Sequence, residues 1–295
     1  MKMRYLINAA AVAAMSAFLA ACGGGGSATG GNGPGVPNNP QPDGRFVGFS
    51  SLPETGSTTI SGTASSASAT LDGEGVSAVS AFAQSDTDLT LDRENGDFRG
   101  VTLKTESGTV TWNGENSEIG EGNGFITAER DAGDLKLADP DSNGFEYQTF
   151  GTWAAGTDSP EFGAFSVGAA TAAADVPGSG SGTFKGKSAG YYVDAGGNLH
   201  RTESDATLDV DFAGRSVAFS TSGTTADGSS AGNLDLSGSL TYSNGGFSGA
   251  VESAGGLTGK TSGNFYGEGA KEAGGTFDLK GAGIESYVGG YGAKR

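Results

Sequence analysis

Residues 205–219 read DATLDVDFAGRSVAF, and this stretch decides the fold class. Over its first eight residues apolar and polar side chains alternate, which is the period of a β-strand with one buried face. A tight turn at Ala213 and Gly214 follows, and apolar side chains return in register at Val217 and Phe219. The stretch therefore predicts an antiparallel hairpin, with its three aspartates on a solvated strand face and not in a metal site.

The same period continues on both sides of this hairpin. Strand-like segments occupy residues 183–193, 206–212, 217–219, 234–242, 247–251, 261–266, 275–279 and 287–291. The residues Ser243 to Gly246 form the turn of a second hairpin. About eight strands lie between Gly182 and Arg295, and eight is the number at which the interior of a closed barrel is just filled by side chains. Closure also removes exposed sheet edges, so we expect an antiparallel barrel.

The segment from Arg45 to Ser181 has fewer clear signals and predicts a smaller β domain. Its strand-like stretches are residues 88–91, 98–103, 109–112 and 124–128. The sequence around Asp175 to Gly182 has the composition of a connection between the two domains.

The first 22 residues predict export and lipidation. Lys2 and Arg4 precede an uncharged apolar run from Leu6 to Ala21, which is too short to span a bilayer, since spanning takes roughly 20 apolar residues. Residues 19–22 (Leu-Ala-Ala-Cys) resemble the lipobox of bacterial lipoproteins, in which the cysteine receives a diacylglycerol. We predict a signal peptide over residues 1–21 and acylation, such as palmitate, at Cys22. The alternative is an ordinary secretory signal, and export follows from both.

The residues after Cys22 predict a membrane tether. Residues 22–44 are rich in glycine and proline and poor in apolar side chains, which predicts a flexible segment. Gly23 stands where enteric lipoproteins of the inner membrane carry aspartate, which favours an outer-membrane address. Because Cys22 is the only cysteine, the chain is expected to form no disulfide and no cysteine metal site.

The charge balance limits the partner classes. The formal net charge is −17, and without residues 1–21 it becomes 15 − 34 = −19. Such a chain repels nucleic acid, so no nucleic-acid partner is expected. The acidity fits either solubility of an exported protein or attraction to a basic partner.

The C-terminal half resembles a known family. Residues 263–277 (GNFYGEGAKEAGGTF), the ending 287–295 (YVGGYGAKR) and the segment from Gly168 to Tyr191 are similar to the barrel domain of transferrin-binding protein B and its relatives. Together these matches cover residues 160–295. The resemblance implies an all-β chain in which a handle-like β domain over residues 45–178 precedes an eight-stranded antiparallel barrel over 179–295.

The family consists of surface lipoproteins of Gram-negative bacteria, and this implies a function in iron or nutrient acquisition. Full transferrin-binding protein B has two handle-and-barrel lobes, whereas this chain is long enough for one. Relatives with one lobe bind haem, haemoglobin or complement regulators, so the implied partner is a host or environmental protein, or haem as a ligand. The resemblance also implies an outer-membrane receptor and a translocator that exports the protein to the cell surface.

The sequence contains few candidate residues for an enzymatic function. His200 is the only histidine, and no glycine-flanked serine precedes a predicted helix. We interpret His200 as an exposed polar residue, with general base and haem ligand as alternatives. No catalytic residue, metal site or resident cofactor is predicted.

The aromatic residues before the barrel have two interpretations. Tyr147, Phe150 and Trp153 belong to a cluster that either packs between handle and barrel or forms a partner patch or the wall of a haem pocket. Asp139 to Gly144 matches the first half of a calcium loop, but position twelve is Phe150 where glutamate is required. Calcium binding and a plain turn both stay open there.

We therefore predict a non-catalytic, outer-membrane-anchored binding lipoprotein at the cell surface. One alternative is a structural outer-membrane β-barrel, which would need an apolar outer band. The others are a complement-regulator-binding or adhesive surface lipoprotein, and a secreted hydrolase that uses His200 or a pair of carboxylates.

Overall fold

The computed structural model describes residues 46–73, 75–157 and 159–295. The predicted signal peptide (1–21), the acylation site Cys22, the predicted tether (22–44) and the first residue of the predicted handle-like domain, Arg45, lie outside the described residues. Within the described ranges no helix is long and apolar enough to cross a membrane. The chain is built almost entirely of antiparallel strands, so the predicted all-β class is confirmed.

The N-terminal part, which we call the handle, forms one ten-stranded sheet. Its strands are β1 (Gly56–Asp72), β2 (Gly75–Val79), β3 (Ala83–Glu94), β4 (Asp97–Thr105), β5 (Gly108–Asn113), β6 (Glu118–Gly122), β7 (Phe125–Arg130), β8 (Gly133–Ala138), β9 (Gln148–Ala155) and β10 (Glu161–Gly168). Their order is β5-β4-β3-β1-β10-β9-β8-β7-β6, and β2 pairs with β1. The first strand therefore lies in the middle of the sheet, beside the last strand of the handle. A 3-10 turn, Phe49–Ser51, precedes the sheet, and one helical turn, α1 (Pro140–Asn143), separates β8 from β9.

The C-terminal part forms a closed barrel. Its strands are β11 (Ser181–Val193), β12 (Leu199–Asp211), β13 (Ser216–Ala226), β15 (Leu236–Ser243), β16 (Gly246–Ser253), β17 (Thr258–Tyr266), β18 (Glu272–Lys280) and β19 (Ser286–Lys294), with the two-residue β14 (Ser229–Ser230) paired to β13. Neighbouring strands are antiparallel, and β19 pairs with β11, which closes the ring. The predicted eight-stranded barrel is confirmed.

The hairpin that decided the fold class has the predicted register. Leu208 lies opposite Phe219 and Val210 opposite Val217, with all four side chains buried in the barrel interior. The aspartates of β12 lie outside the barrel, as predicted. The turn after β15 is also confirmed, because Ser243 pairs with Gly246.

That second turn shows why the sequence uses asparagine and glycine there. Asn244 and Gly245 have φ values of 52° and 84°. A two-residue hairpin loop of the primed type needs positive φ at both positions, and Asn-Gly is the dipeptide that adopts it most readily.

One predicted strand residue has a different role. Leu234 belongs to a 3-10 turn, Gly232–Leu234, and β15 begins after it at Leu236. Leu234 is nevertheless buried against the barrel core, since the turn directs its side chain inward. The alternating pattern therefore predicted the burial of Leu234 correctly, but its prediction that Leu234 lies in a strand was wrong.

The strands where the two sheets meet are buried on both faces. β9, β10, β18 and β19 are buried along nearly their whole lengths, because one face packs on the core of its own sheet and the other on the opposite sheet. A cluster of apolar side chains fills the space between the sheets, including Phe162 of β10, Tyr191 of β11 and Val288 of β19. The handle and the barrel thus share a buried interface.

Glycines bring the two sheets unusually close together. A Cβ atom at Gly292 would lie 2.2 Å from Gln148 Nε2 and 2.7 Å from Phe150 Cδ1, and one at Gly274 would lie 2.7 Å from Gln148 Oε1. A larger side chain at Gly292 would force Gln148 and Phe150 to shift or β19 and β9 to separate. The glycine pairs of the C-terminal sequence therefore serve the packing of handle on barrel.

Candidate functional site

Buried polar contacts fix the position of the handle on the barrel. The carboxylate of Glu272, which is 3 % exposed, accepts hydrogen bonds from the backbone N–H of Glu146 at 2.6 Å and of Tyr147 at 3.0 Å. Burial raises the pKa of Glu272, although these N–H donors oppose the shift. Buried hydrogen bonds have strict geometry, so this contact defines one relative placement of the two sheets.

A second contact lies at the other side of the interface. Tyr191 of β11 donates its hydroxyl hydrogen to Asp134 Oδ2 of β8 at 2.7 Å, and Arg201 of β12 donates to the same carboxylate oxygen at 2.8 and 2.9 Å. Burial raises the pKa of Tyr191, and the charge of Asp134 raises it further, so the phenol stays a neutral donor. Lys136 of β8 also pairs with Glu203 of β12.

Tyr147 lines a cleft where the handle meets the barrel. The cleft has a volume of about 340 Å³ and is lined by Glu146, Tyr147, Lys271, Glu272, Lys294 and Arg295. Lys271 Nζ lies 3.3 Å from the Tyr147 hydroxyl and 5.4 Å from the centre of its ring. Tyr147 is half-buried, so the structure leaves part of its ring accessible. Ligand binding by Tyr147 stays a prediction.

Phe150 and Trp153 lie on opposite faces of the same handle strand, and neither has exposed surface. Phe150 faces the barrel, where it belongs to a cluster with Ala189 of β11, and it contacts Phe125 and Phe145 of the handle edge to face. Trp153 faces the other way, into the core of the handle beside Phe165. Of the two interpretations given above, packing describes these two residues. An exposed patch or haem pocket wall built from them does not fit their burial.

His200 lies at the end of the barrel near the start of β12, held between two carboxylates. Its Nδ1 atom is 2.8 Å from Asp227 Oδ2 and its Nε2 atom is 3.1 Å from Asp194 Oδ2. The ring also stacks on Tyr192, with 6.0 Å between ring centres. Its side chain is 29 % exposed, so it is less accessible than the exposed residue that the sequence predicted.

This setting favours the charged form of the imidazole. Burial disfavours the charge, but hydrogen bonds to Asp194 and Asp227 outweigh it, and the pKa of His200 is raised above its ordinary value of 6.5. Burial also opposes the charge of Asp194, but hydrogen bonds from Asn198 and His200 lower the pKa of Asp194 to about 2. Iron ligation or proton abstraction by His200 would first require one ring nitrogen to leave its carboxylate. His200 as a haem ligand stays a prediction.

The negative charge is concentrated in the handle. Residues 46–178 contain 21 acidic and 5 basic residues, whereas residues 179–295 contain 12 acidic and 9 basic residues. The strand β6 lies at one end of the sheet order. Two exposed glutamates lie within it, Glu118 and Glu121, and a third, Glu115, lies just before it. Charges on an edge strand discourage pairing with other strands. They also give this part of the handle a strongly negative surface.

The calcium-like segment forms a capped turn. Asp139 caps the helical turn α1 by accepting from Asp141 N at 3.1 Å, and Ser142 donates to its other carboxylate oxygen. Gly144 ends the turn with a left-handed φ of 65°. These are the roles that a turn requires of aspartate and glycine. Calcium binding there stays a prediction.

One buried group was missed by the sequence analysis. Glu161, at the start of β10, is 7 % exposed, and its Oε1 atom makes no hydrogen bond within the described ranges. The surrounding sequence, Ser-Pro-Glu-Phe, predicts only a strand start after a proline, so no sequence signal marks this carboxylate as buried.

Comparison with known structures finds proteins that are similar to this chain at low sequence identity. Transferrin binding protein B from Neisseria meningitidis shares 20 % identity with a TM-score of 0.47, over 79 % of this chain and 43 % of that one. Transferrin binding protein B from Haemophilus parasuis shares 18 % identity with a TM-score of 0.47, over 80 % and 44 %. HpuA from Kingella denitrificans, solved with human haemoglobin, shares 13 % identity with a TM-score of 0.44, over 85 % and 91 %.

The chain spans less than half the length of the two transferrin binding proteins. The comparison with curated sequences gives no match. The family model described as the C-lobe and N-lobe β-barrels of Tf-binding protein B matches residues 176–295, which include every strand of the closed barrel. The barrel of this chain is therefore similar to the C-lobe and N-lobe β-barrels of Tf-binding protein B.

Proposed function

We propose that this protein is a non-catalytic lipoprotein of the outer-membrane surface that captures a host iron-carrying protein. The observation that carries the proposal is the family match of residues 176–295, joined to a handle in one handle-and-barrel lobe. The handle and its loops form the partner surface in this proposal, and uptake of iron or another nutrient follows capture.

The buried interface between handle and barrel supports a binding role. Because Glu272 and Gly292 join the sheets through close contacts, the loops of both domains keep fixed relative positions. A preorganised surface loses less conformational entropy when a partner binds. This arrangement favours recognition of a large folded partner over wrapping around a flexible one.

The charge of the handle indicates the chemistry of the partner. With 21 acidic residues against 5 basic ones, the handle attracts a basic patch on a protein and repels nucleic acid. Attraction between opposite charges mainly accelerates association and weakens as salt is added. We therefore expect a partner whose contact surface is basic.

Attachment to the membrane is the second part of the proposal. Acylation of Cys22 anchors the mature chain, and residues 23–44 form the tether. Two or more acyl chains are needed for lasting anchorage, which lipoprotein processing supplies. Display on the outer face further requires an export translocator, and delivery of iron requires an outer-membrane receptor.

The barrel surface does not favour the alternative of a lipid-embedded barrel. Its interior is apolar, and the outward side chains of β13 and β15 to β17 include Ser220, Ser239, Glu252 and Lys260. A lipid-facing band would need apolar residues at these positions. For the hydrolase alternative, the His200 candidate has both ring nitrogens bound to carboxylates, and the pair of carboxylates stays a prediction.

The proposal can be tested by capture from host fluids. The mature chain without its acyl group would be immobilised and incubated with serum and with red-cell lysate, and retained proteins identified by mass spectrometry. We expect enrichment of one iron-carrying protein, such as transferrin or haemoglobin. Retention of a complement regulator alone, or of no protein, would contradict iron acquisition.

A matched pair of variants tests the role of the handle. One variant carries E115Q, E118Q and E121Q in the handle, and the control carries D205N, E252Q and E268Q on the barrel, which removes the same number of exposed charges. We expect the handle variant to slow association several-fold more than the control. Equal effects would show that the handle charges are not at the interface.

A further inference from the structure

A small pocket opens in the handle, away from the cleft that contains Tyr147. It has a volume of about 140 Å³ and lies where the turn between β4 and β5 approaches β1 and the start of β10. Its polar lining comes from Ser66, Ser68, Ser80, Glu106, Ser107 and Glu161. Ser68, Ser80, Glu106 and Ser107 are exposed, so the pocket is open to solvent on this side.

Glu161 places a buried carboxyl group in the wall of this pocket. The residue is only 7 % exposed, and Ser107 donates a hydrogen bond to its Oε2 atom. Its Oε1 atom is buried and has no hydrogen-bond partner among the described residues. No lysine, arginine or histidine nitrogen in the described ranges lies within 4 Å of this carboxylate. A buried carboxylate oxygen without a donor is destabilising, so the site has the chemistry of a receptor for a hydrogen-bond donor with positive charge.

The other polar groups are a carboxylate, which accepts hydrogen bonds, and serine hydroxyls, which can both accept and donate them. Glu106 adds a second carboxylate at the rim, and Ser66, which is 3 % exposed, adds a hydroxyl deeper in the pocket. An ammonium group has three donors and no acceptor, which matches such a lining. Alanines 67, 81 and 83 form apolar walls that suit the methylene groups of an alkyl chain.

Size and ligand number distinguish an ammonium group from other cations. Calcium takes 6 to 8 oxygen ligands, chiefly carboxylates and carbonyls, and only two carboxylates line this pocket. A guanidinium is a wide planar fork with five N–H donors, which one free carboxylate oxygen cannot match. The volume exceeds the roughly 30 Å³ that a water occupies in the liquid, so it has room for methylene groups behind the charge.

We propose that this pocket binds a primary ammonium group, with the carboxylate of Glu161 as its principal acceptor. Two sources share this chemistry, namely a free alkylamine and a lysine side chain of a captured protein. The lysine version rests on the function proposed above, whereas the binding of a free amine does not.

The test is a titration of the mature chain with the methylamide of Nα-acetyl-lysine, followed by changes in backbone amide NMR signals. The methylamide of Nα-acetyl-norleucine and calcium chloride serve as comparison ligands. We expect a dissociation constant of about 1 to 10 mM for the lysine compound, which is typical of a ligand of this size, with shifts at Ser107 and Glu161. The norleucine compound should bind at least tenfold more weakly.

Two variants test the role of the carboxylate. Glu161→Gln should weaken amine binding at least tenfold, with no loss of thermal stability, because it removes a buried charge that lacks a partner. Glu252→Gln, an exposed change on the barrel, is the matched control and should bind as the unaltered chain does. Ala81→Leu narrows the pocket and keeps Glu161, so it tests the same site if the first variant folds poorly.

The outcomes separate this proposal from the function proposed above. If Glu161→Gln also weakens capture of the host protein, the source of the ammonium group is a lysine of that protein. If Glu161→Gln abolishes amine binding but leaves capture unchanged, the source is a free amine. Unchanged amine binding in Glu161→Gln, equal binding of the norleucine compound, or tighter binding of calcium at the same signals would overturn the proposal, whatever the capture experiment shows.

Discussion

The carboxylate of Glu272, on barrel strand β18, accepts a hydrogen bond from the backbone N–H of Glu146 in the handle at 2.6 Å. The two residues are 126 positions apart in the chain. A second hydrogen bond, from Tyr147 N at 3.0 Å, binds the same carboxylate. The Glu272 carboxylate thus binds the backbone just before β9 to strand β18 of the barrel, and this contact helps to determine where the handle lies.

Replacing Glu272 should therefore loosen the handle. Glu272→Ala leaves two backbone N–H groups without their acceptor, and we expect a loss of about 2 to 3 kcal/mol in the free energy of unfolding. Urea denaturation measures this loss. The control is Glu252→Ala on the exposed face of β16, which should change stability by less than about 0.5 kcal/mol. Equal effects of the two variants would show that the Glu272 contact does not join the sheets.

Gly292 should be intolerant of even one methyl group. In Gly292→Ala the new Cβ would overlap the buried side chains of Gln148 and Phe150, so these side chains must shift or β19 and β9 must move apart, at a cost of about 1 to 3 kcal/mol. Gly122→Ala is the matched control, because nothing lies within 4 Å of a Cβ at that position of β6. Thermal unfolding of both variants checks the prediction. A Gly292→Ala protein as stable as the control would contradict the close packing described here.

His200 should titrate above its ordinary pKa of 6.5, because Asp194 and Asp227 favour its charged form. It is the only histidine in the chain, so one imidazole signal in proton NMR reports its titration without ambiguity. Asp227→Asn should lower the midpoint, since it removes one of the two charges. A midpoint at or below 6.5 in the unaltered chain would refute the paired arrangement.

The raised pKa of His200 also predicts that its contribution to the free energy of unfolding depends on pH. A folded-state pKa above the unfolded value means that the charged His200 stabilises the fold fully below about pH 6.5, and that this contribution is lost as pH rises through the raised pKa. The difference in unfolding free energy between the unaltered chain and His200→Gln isolates it. We expect the difference to be largest at acidic pH and to decline towards alkaline pH. A difference that grows as pH rises would have the wrong sign.

Cys22 should decide whether the protein is held on a membrane. In bacteria that process lipoproteins, the unaltered chain should incorporate labelled palmitate and sediment with membranes, because acyl chains supply the hydrophobic anchor. Cys22→Ala should incorporate no palmitate and be recovered in the soluble fraction. Membrane recovery of Cys22→Ala equal to that of the unaltered chain would contradict a lipid anchor.

The barrel was predictable because most of its strands have one buried face. Leu208 and Val210 alternate with aspartates that lie in solvent, and Asn244-Gly245 marks its turn by residues that accept positive φ. These are local properties, so residues 205–246 reveal both strand and turn. The resemblance of residues 263–277 then indicated the family whose barrel model matches residues 176–295.

The handle was harder to predict for the opposite reason. β9 and β10 are buried on both faces, so their sequences show no alternation, and the long β1 consists mostly of serine, threonine and alanine. The burial of Phe150 and Trp153 depends on which neighbours their two faces meet. Likewise, the free oxygen of Glu161 depends on the approach of the β4–β5 turn from more than 50 residues away. Such contacts between distant segments leave no local pattern in the sequence.

The most direct test of the central claim is the binding of the purified mature chain to transferrin and to haemoglobin, measured by biolayer interferometry at two salt concentrations. Our account predicts that one of these proteins binds with a dissociation constant near or below about 1 µM, and that binding weakens at high salt and in the variant E115Q, E118Q and E121Q. Failure of both proteins to bind at concentrations of about 100 µM would contradict the proposed capture of a host iron-carrying protein.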